Sequence, residues 1–175
     1  MNQDPSKPPI PDDQDSSLLT ATAFHEAGHA VMAMSLGRLV QKVTIVPGKS
    51  QFGDVRLGVC ELKKGRSKAS KNTLEDEVLI LFAGMVAEAH FTGQYCRQGA
   101  SQDLRTIHRL LASRSVNEGS NERLQRRLLN KTEHQLQDPG HAKAIELIAR
   151  ELIARTTISG RAVRHHFDQA TKEDS

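Results

Sequence analysis

The segment Thr22 to Met32, TAFHEAGHAVM, most constrains what this chain can fold into. Around it Leu18, Leu19, Phe24, Val31 and Met34 recur at helical spacing. Ser16 or Ser17 can cap the start and Gly37 can close the end, which predicts a helix over about 18–36. A glycine inside a helix costs about 1 kcal/mol relative to alanine, so Gly28 makes sense where another backbone packs closely against this helix. His25 and His29, four residues apart, project from one face about one turn apart, with Glu26 beside the first.

That spacing lets two imidazoles reach a single metal ion, and the resulting HExxH pattern sets the Glu26 carboxylate where it can touch a metal-bound water. Zinc suits such a site. It accepts imidazoles and a carboxylate, keeps one position open, and lowers the pKa of its water to about 7. Glu26 would take a proton from that water and return it to a leaving amine. Two ligands do not complete the site. Met32 and Ser35 occupy the positions where a metzincin needs glycine and histidine, which excludes that subclass. The third-ligand candidates are Glu61, Glu88, His90, Asp103, His108, His134, His141, His165 and His166, and spacing alone does not choose among them. His165 and His166 are adjacent, so a helix would not aim both at one ion.

The rest of the chain predicts a single, mainly helical α+β domain. With 175 residues it is long enough for a core without disulfide staples. Residues 1–16, rich in Pro, Asp and Gln, read as a disordered tail, and 171–175 as a disordered end. The domain is expected over 17–170. Val43 and Ile45 alternate with polar residues before Pro47 and Gly48, and Val55, Leu57 and Val59 alternate over about 53–62, predicting two or more short strands. The run 63–71 carries five Lys or Arg and reads as a solvated loop. Thr73 and Asp76 resemble a capping box for a second helix over about 74–91 ending at Gly93. Ser101 can cap a third helix to about 116. Further helices are predicted at 121–137, at 140–156 with Asp138 and Pro139 at the start, and after Ser159, forming a C-terminal bundle.

Composition excludes several classes. Aromatics are 3% with no Trp, and the net charge of +3 comes from dispersed residues, so no stacking platform for nucleic acid is expected. Cys60 and Cys96 have no paired spacing, which points to a reducing, cytoplasmic setting. No apolar run of about 18 residues occurs, so no membrane span is expected.

Several segments together resemble one family: HEAGHA at 25–30, KVTIVPG at 42–48, LFAGMVAEAHFTG at 81–93, GASQDL at 99–104 and TTISG at 156–160. In this order they are similar to the M41 peptidases, the protease domain of membrane-bound AAA+ zinc proteases of the FtsH type. The resemblance implies a zincin-like active-site helix with one zinc per chain. His25, His29 and Asp103 would bind the metal and Glu26 would serve as general base. It implies that Val43, Thr44, Ile45 and Val46 form an edge strand holding extended substrate, and that Glu88 orients a ligand histidine. Ala89 replaces the second glutamate of the family's AEE segment. The stretch NEGSNERLQRR at 117–127 lacks the family's aromatic and Gly-Met-Ser residues, and no GxxxxGK[ST] phosphate loop occurs.

Three functions follow. The first is a zinc endopeptidase cutting peptides or unfolded proteins without its own ATPase. The second is a zinc-binding interaction or regulatory module with a degenerate groove, although such a module would not need Glu26. The third is a peptidase subunit fed by a separate AAA+ ATPase, with a homo-oligomer as a further expectation.

Overall fold

A computed structural model describes residues 13–49, 53, 55–95, 99–114 and 117–172. The order is α1 (Asp13–Ser35), β1 (Arg38–Thr44), β2 (Gly48–Lys49), β3 (Val55–Arg56), β4 (Val59–Arg66), α2 (Thr73–Thr92), α3 (Ser101–Ala112), α4 (Glu118–Leu136), α5 (Pro139–Arg155), β5 (Thr157–Ser159) and α6 (Gly160–Lys172). The fold is α+β and mainly helical, as the sequence implies.

Helix α1 is the axis of the molecule. It packs on α2, α5 and β1, and apart from Phe24 every residue from Ala21 to Ala33 is buried. Its small residues make that possible. A Cβ on Gly28 would stand 2.4 Å from the Ala83 carbonyl oxygen and 2.6 Å from the Ala87 Cβ, so α2 lies against α1 where only glycine fits. One apolar cluster joins α1, β1 and every other helix, through residues such as Val43, Leu79, Ile107, Leu128, Ile148 and Val163. With few aromatics, this interior is built from aliphatic side chains, alanine and methionine.

Helix ends differ from expectation in detail. Helix α1 begins at Asp13, so residues 13–16, assigned by sequence to the tail, are helical, while 1–12 lie outside the described residues. Asn72, not Thr73, caps α2 by accepting from the Glu75 N–H, and Gly93 closes it at φ 79°. Ser101 lies inside α3 and supplies no cap, the N-cap position being Ala100. Asp138 caps α5 through the His141 N–H, with Pro139 in the first turn. Residues 171 and 172 continue α6, and 173–175 lie outside the described residues, as does Cys96.

The sheet corrects the sequence reading most. Its order is β4-β1-β5, antiparallel throughout, so β1 is the central strand. Val43 faces Cys60 on one side and Ile158 on the other. The backbone N–H of Ile45 donates to the Thr156 carbonyl and that of Val46 to Thr44 Oγ1. Val43, Thr44, Ile45 and Val46 therefore do not form a free edge. β5 is too short to carry a periodic signal, and its pairing occupies the side the sequence left open. β5 leads directly into α6, where a Cβ on Gly160 would meet the Val40 carbonyl oxygen at 1.9 Å. The basic run is also partly strand: Lys63, Lys64 and Arg66 belong to β4, which has no second partner among the described residues. Charge on an exposed strand edge discourages pairing with other chains. Arg66 anchors the strand end by bonding Asp76 and the Leu36 carbonyl.

Candidate metal centre

α1 presents His25, Glu26 and His29 toward α2 and the β3–β4 connection, and all three are buried. The first turn of α3 brings Asp103 to the same point, and Ile107 and Leu111, one and two turns further along the same side of that helix, are buried and hold it there. A carboxylate in a first turn is also favoured by the helix dipole. His25 Nε2 lies 3.1 Å and His29 Nε2 3.3 Å from Asp103 Oδ2. Among the described residues this is the group of His, Cys, Asp and Glu whose ligand atoms converge, all within 4.8 Å of one another.

The outer nitrogens settle which atoms are free to bind. His29 Nδ1 lies 2.7 Å from the Ile80 carbonyl oxygen, which can only accept, so Nδ1 carries the proton. His25 Nδ1 faces Glu88 Oε2 at 3.0 Å in the same sense. Each neutral ring then aims an Nε2 lone pair at a carboxylate oxygen, an arrangement of acceptors that requires a cation among them. Two donors bonded tetrahedrally to zinc at about 2.0–2.1 Å stand about 3.3 Å apart, which matches the spacing of Asp103 from the two rings. Carbonyl and carboxylate partners on the outer nitrogens are the usual support of ligating histidines. The residues fit zinc.

Without a metal, protons take the cation's place. Burial opposes charge on His25, but the hydrogen bonds to Asp103 and Glu88 outweigh it and push its pKa up to about 10. His29 shifts upward too, because the Asp103 charge overcomes its burial. Burial likewise opposes charge on Asp103, and the neighbouring imidazoles hold its carboxyl well below the usual range. For Glu26 burial dominates and raises its pKa, against the lowering influence of His29 and His25.

Glycines shape the space around these groups. A Cβ on Gly84 of α2 would stand 2.5 Å from His29 Nε2 and 2.6 Å from both His25 Nε2 and His29 Cε1, so only glycine lets α2 lie this close to the two rings. A Cβ on Gly58, just before β4, would stand 2.8 Å from Glu26 Oε1. Both positions escaped the sequence reading, since nothing local marks a glycine that faces a side chain from another element. The cluster opens into a cleft of about 530 Å³ bordered by Arg56, Leu57, Gly58, Cys60 and Leu62. None of Val43, Thr44, Ile45 and Val46 borders it; the sheet edge along the cleft is β4.

The remaining third-ligand candidates lie elsewhere. Glu61 pairs with Lys42, and His90, His108 and His134 are exposed. His141 Nδ1 bonds the Gln135 carbonyl and His166 pairs with Glu151, with His165 beside it on α6. Glu88 supports His25 from its outer side.

The family model described as peptidase family M41 matches residues 14–144, a span that includes His25, Glu26, His29 and Asp103. The chain is 33% identical over 112 residues to an ATP-dependent zinc metalloprotease FtsH of Protochlamydia amoebophila, covering 63% of this chain and 12% of that protein. It is 40% identical over 85 residues to the FtsH of Magnetococcus marinus, covering 47% and 12%. It is 32% identical over 107 residues to the mitochondrial inner membrane m-AAA protease component AFG3L1 of Mus musculus, covering 60% and 13%. The matched region thus spans about an eighth of the length of these relatives. No described helix of this chain is long and apolar enough to cross a membrane.

Proposed function

The chain belongs to peptidase family M41, and from that premise we propose that it hydrolyses peptide bonds in peptides or unfolded polypeptide, with one zinc held by His25, His29 and Asp103. The observation that carries this reading is the convergence of two Nε2 lone pairs and Asp103 Oδ2 beside the Glu26 carboxylate. Zinc at that point supplies a Lewis acid that polarises a peptide carbonyl and makes a water acidic near neutral pH.

The chain's own residues do the rest. Ile80 and Glu88 hold the two rings with their Nε2 atoms turned inward. Glu26, made more basic by burial, takes the proton of the attacking water at its carboxylate and delivers it to the leaving amine nitrogen. Gly58 leaves room for that carboxylate to move. The cleft end of β4, residues 59–62, ahead of the charged stretch 63–66, offers backbone groups to an extended chain, a grip that does not depend on substrate sequence.

We place the reaction in the cytoplasm, a reading supported by the free thiol of Cys60. A second reading, delivery of substrate by a separate ATPase with assembly into a homo-oligomer, draws support from the relatives' printed description as ATP-dependent. Glu26→Gln tests the mechanism. Hydrolysis of casein or an unfolded peptide should fall about 10²- to 10⁴-fold while bound zinc stays at one per chain. Undiminished cleavage would remove Glu26 from the chemistry.

A further inference from the structure

The cleft extends past the His25–Asp103 cluster to a cation that the proposed chemistry does not use. Arg38, at the start of β1, is half-buried in the cleft wall, which it shares with Leu62 of β4 and Ile80 of α2. Its Nε is buried without a hydrogen-bond partner, and no side-chain hydrogen bond or ion pair of Arg38 occurs among the described residues. Its cross-strand neighbour Arg66 shows the contrast, being bonded to Asp76 and to the Leu36 carbonyl. Glu77 also borders the cleft, but it is exposed and makes no ion pair with Arg38. On the Glu26 side of the same cleft stands Arg56, likewise without an ion pair among the described residues.

An arginine keeps its charge under all working conditions and presents five donors in a planar fork that matches a carboxylate. The buried Nε is closed to a ligand as well. The Nη groups at the end of the fork, however, are not among the buried unpartnered atoms and have no protein acceptor among the described residues, and a ligand carboxylate in the cleft would accept from them. We propose that Arg38 forms a carboxylate-binding subsite of the substrate cleft, so that the enzyme prefers peptides carrying Asp or Glu at a fixed distance from the bond it cuts. This rests on the peptidase reading above. Gly58, beside Glu26, precedes β4; Leu62, four residues on, lies opposite Val40, and Arg38 is two residues beyond Val40 on β1. About six strand positions, about 20 Å at 3.3 Å per residue, therefore separate the two ends of the cleft. A substrate strand alongside β4 would therefore place its acidic side chain about five or six residues from the scissile bond.

The test uses zinc-loaded protein and pairs of peptides that differ only by Glu or Gln at each position around the cleaved bond. At one position Glu should raise kcat/KM about 10- to 100-fold over Gln, the range expected for a charge-assisted hydrogen-bonded pair. In Arg38→Gln that ratio should fall toward one. In Arg38→Lys it should be intermediate, because a point charge cannot form the two-pronged contact. Melting curves and zinc content identify a misfolded variant, and Arg38→Lys, which keeps the stem and the charge, carries the test if Arg38→Gln does not fold. An unchanged ratio in the folded variants, or no acidic preference in the wild type, overturns the subsite and leaves hydrolysis standing. If no peptide is cut, the peptidase reading fails instead. The subsite is then decided by fluorescence anisotropy of the same peptides on zinc-loaded Glu26→Gln protein: a Glu-over-Gln preference abolished by Arg38→Gln supports it, and equal binding overturns it.

Discussion

Two hollows flank the α1–α2 pair, and they differ in what they gather. One, of about 530 Å³, gathers His25, Glu26, His29 and Asp103 around one point. The other, of about 660 Å³, lies between α1, α2 and α5 and is walled by Phe24, Phe91, Ile145 and Ile153. His90, Glu146 and Arg150 also border the second hollow, yet they belong to no converging ligand set among the described residues. Volume favours the second and chemistry favours the first. Phe24 and His25 are successive residues of one helix, so a rotation of about 100° along α1 separates an apolar wall from a ring that converges on Asp103. What marks the first hollow is that its donors have partners fixing where their protons sit.

Three perturbations break or sharpen that contrast, beginning with the largest. Gly84→Ala puts a methyl within 2.6 Å of both Nε2 atoms, an overlap of buried groups that outweighs the about 1 kcal/mol by which alanine is favoured over glycine in a helix interior. Zinc affinity should fall by about 100-fold or more, and the zinc-free protein should lose about 1–3 kcal/mol of stability because the same methyl overlaps the buried rings, as read by zinc titration and thermal melting. Unaltered zinc binding would mean that the ion sits away from these nitrogens.

Acidity gives the second. In zinc-free protein the His25 pKa rises from 6.5 to about 10 on folding, so its contribution to stability is complete below pH 6.5 and disappears as pH climbs through about 10. Asp103 is shifted the other way, so its contribution is complete above 3.8 and is lost as the solution becomes more acidic than that. Zinc needs the lone pairs that protons occupy, so its stabilising increment must grow over the same alkaline range. Melting temperatures from pH 6 to 10 should therefore decline without zinc, and the gap between zinc-loaded and zinc-free protein should widen. A constant gap would contradict competition between protons and metal at this site.

The smallest effect belongs to the second hollow. Phe91→Ala removes one ring of the stacked Phe24–Phe91 pair, whose centroids are 4.6 Å apart. About 1 kcal/mol of stability, or roughly 2–4 °C in Tm, should be lost, with zinc content unchanged. A fall in zinc content would show that the two hollows act as one.

The parts of the fold written in local spacing were legible. The histidine spacing on α1, the αL glycine at Gly93 and the Asp138–Pro139 helix start all depend on residues within a turn of one another. The parts that depend on distant contacts were not. β1 is central only because β5, more than 110 residues away, pairs with it, and no pattern within Val43–Val46 records that. Gly58 and Gly84 read as ordinary glycines until two other elements set Glu26 and the imidazoles against them. Asp103 could be brought to the site only by the family resemblance, because its placement depends on how α3 docks on α2. Arg38 gave no sequence signal, since its meaning lies in the absence of a partner.

The most direct measurement is the zinc content of wild type and Asp103→Ala after dialysis against the same buffered free zinc, with circular dichroism confirming that both are folded. One zinc per wild-type chain and a large loss in the alanine variant is the predicted result. Full occupancy in folded Asp103→Ala would contradict the assignment of His25, His29 and Asp103 as the metal site.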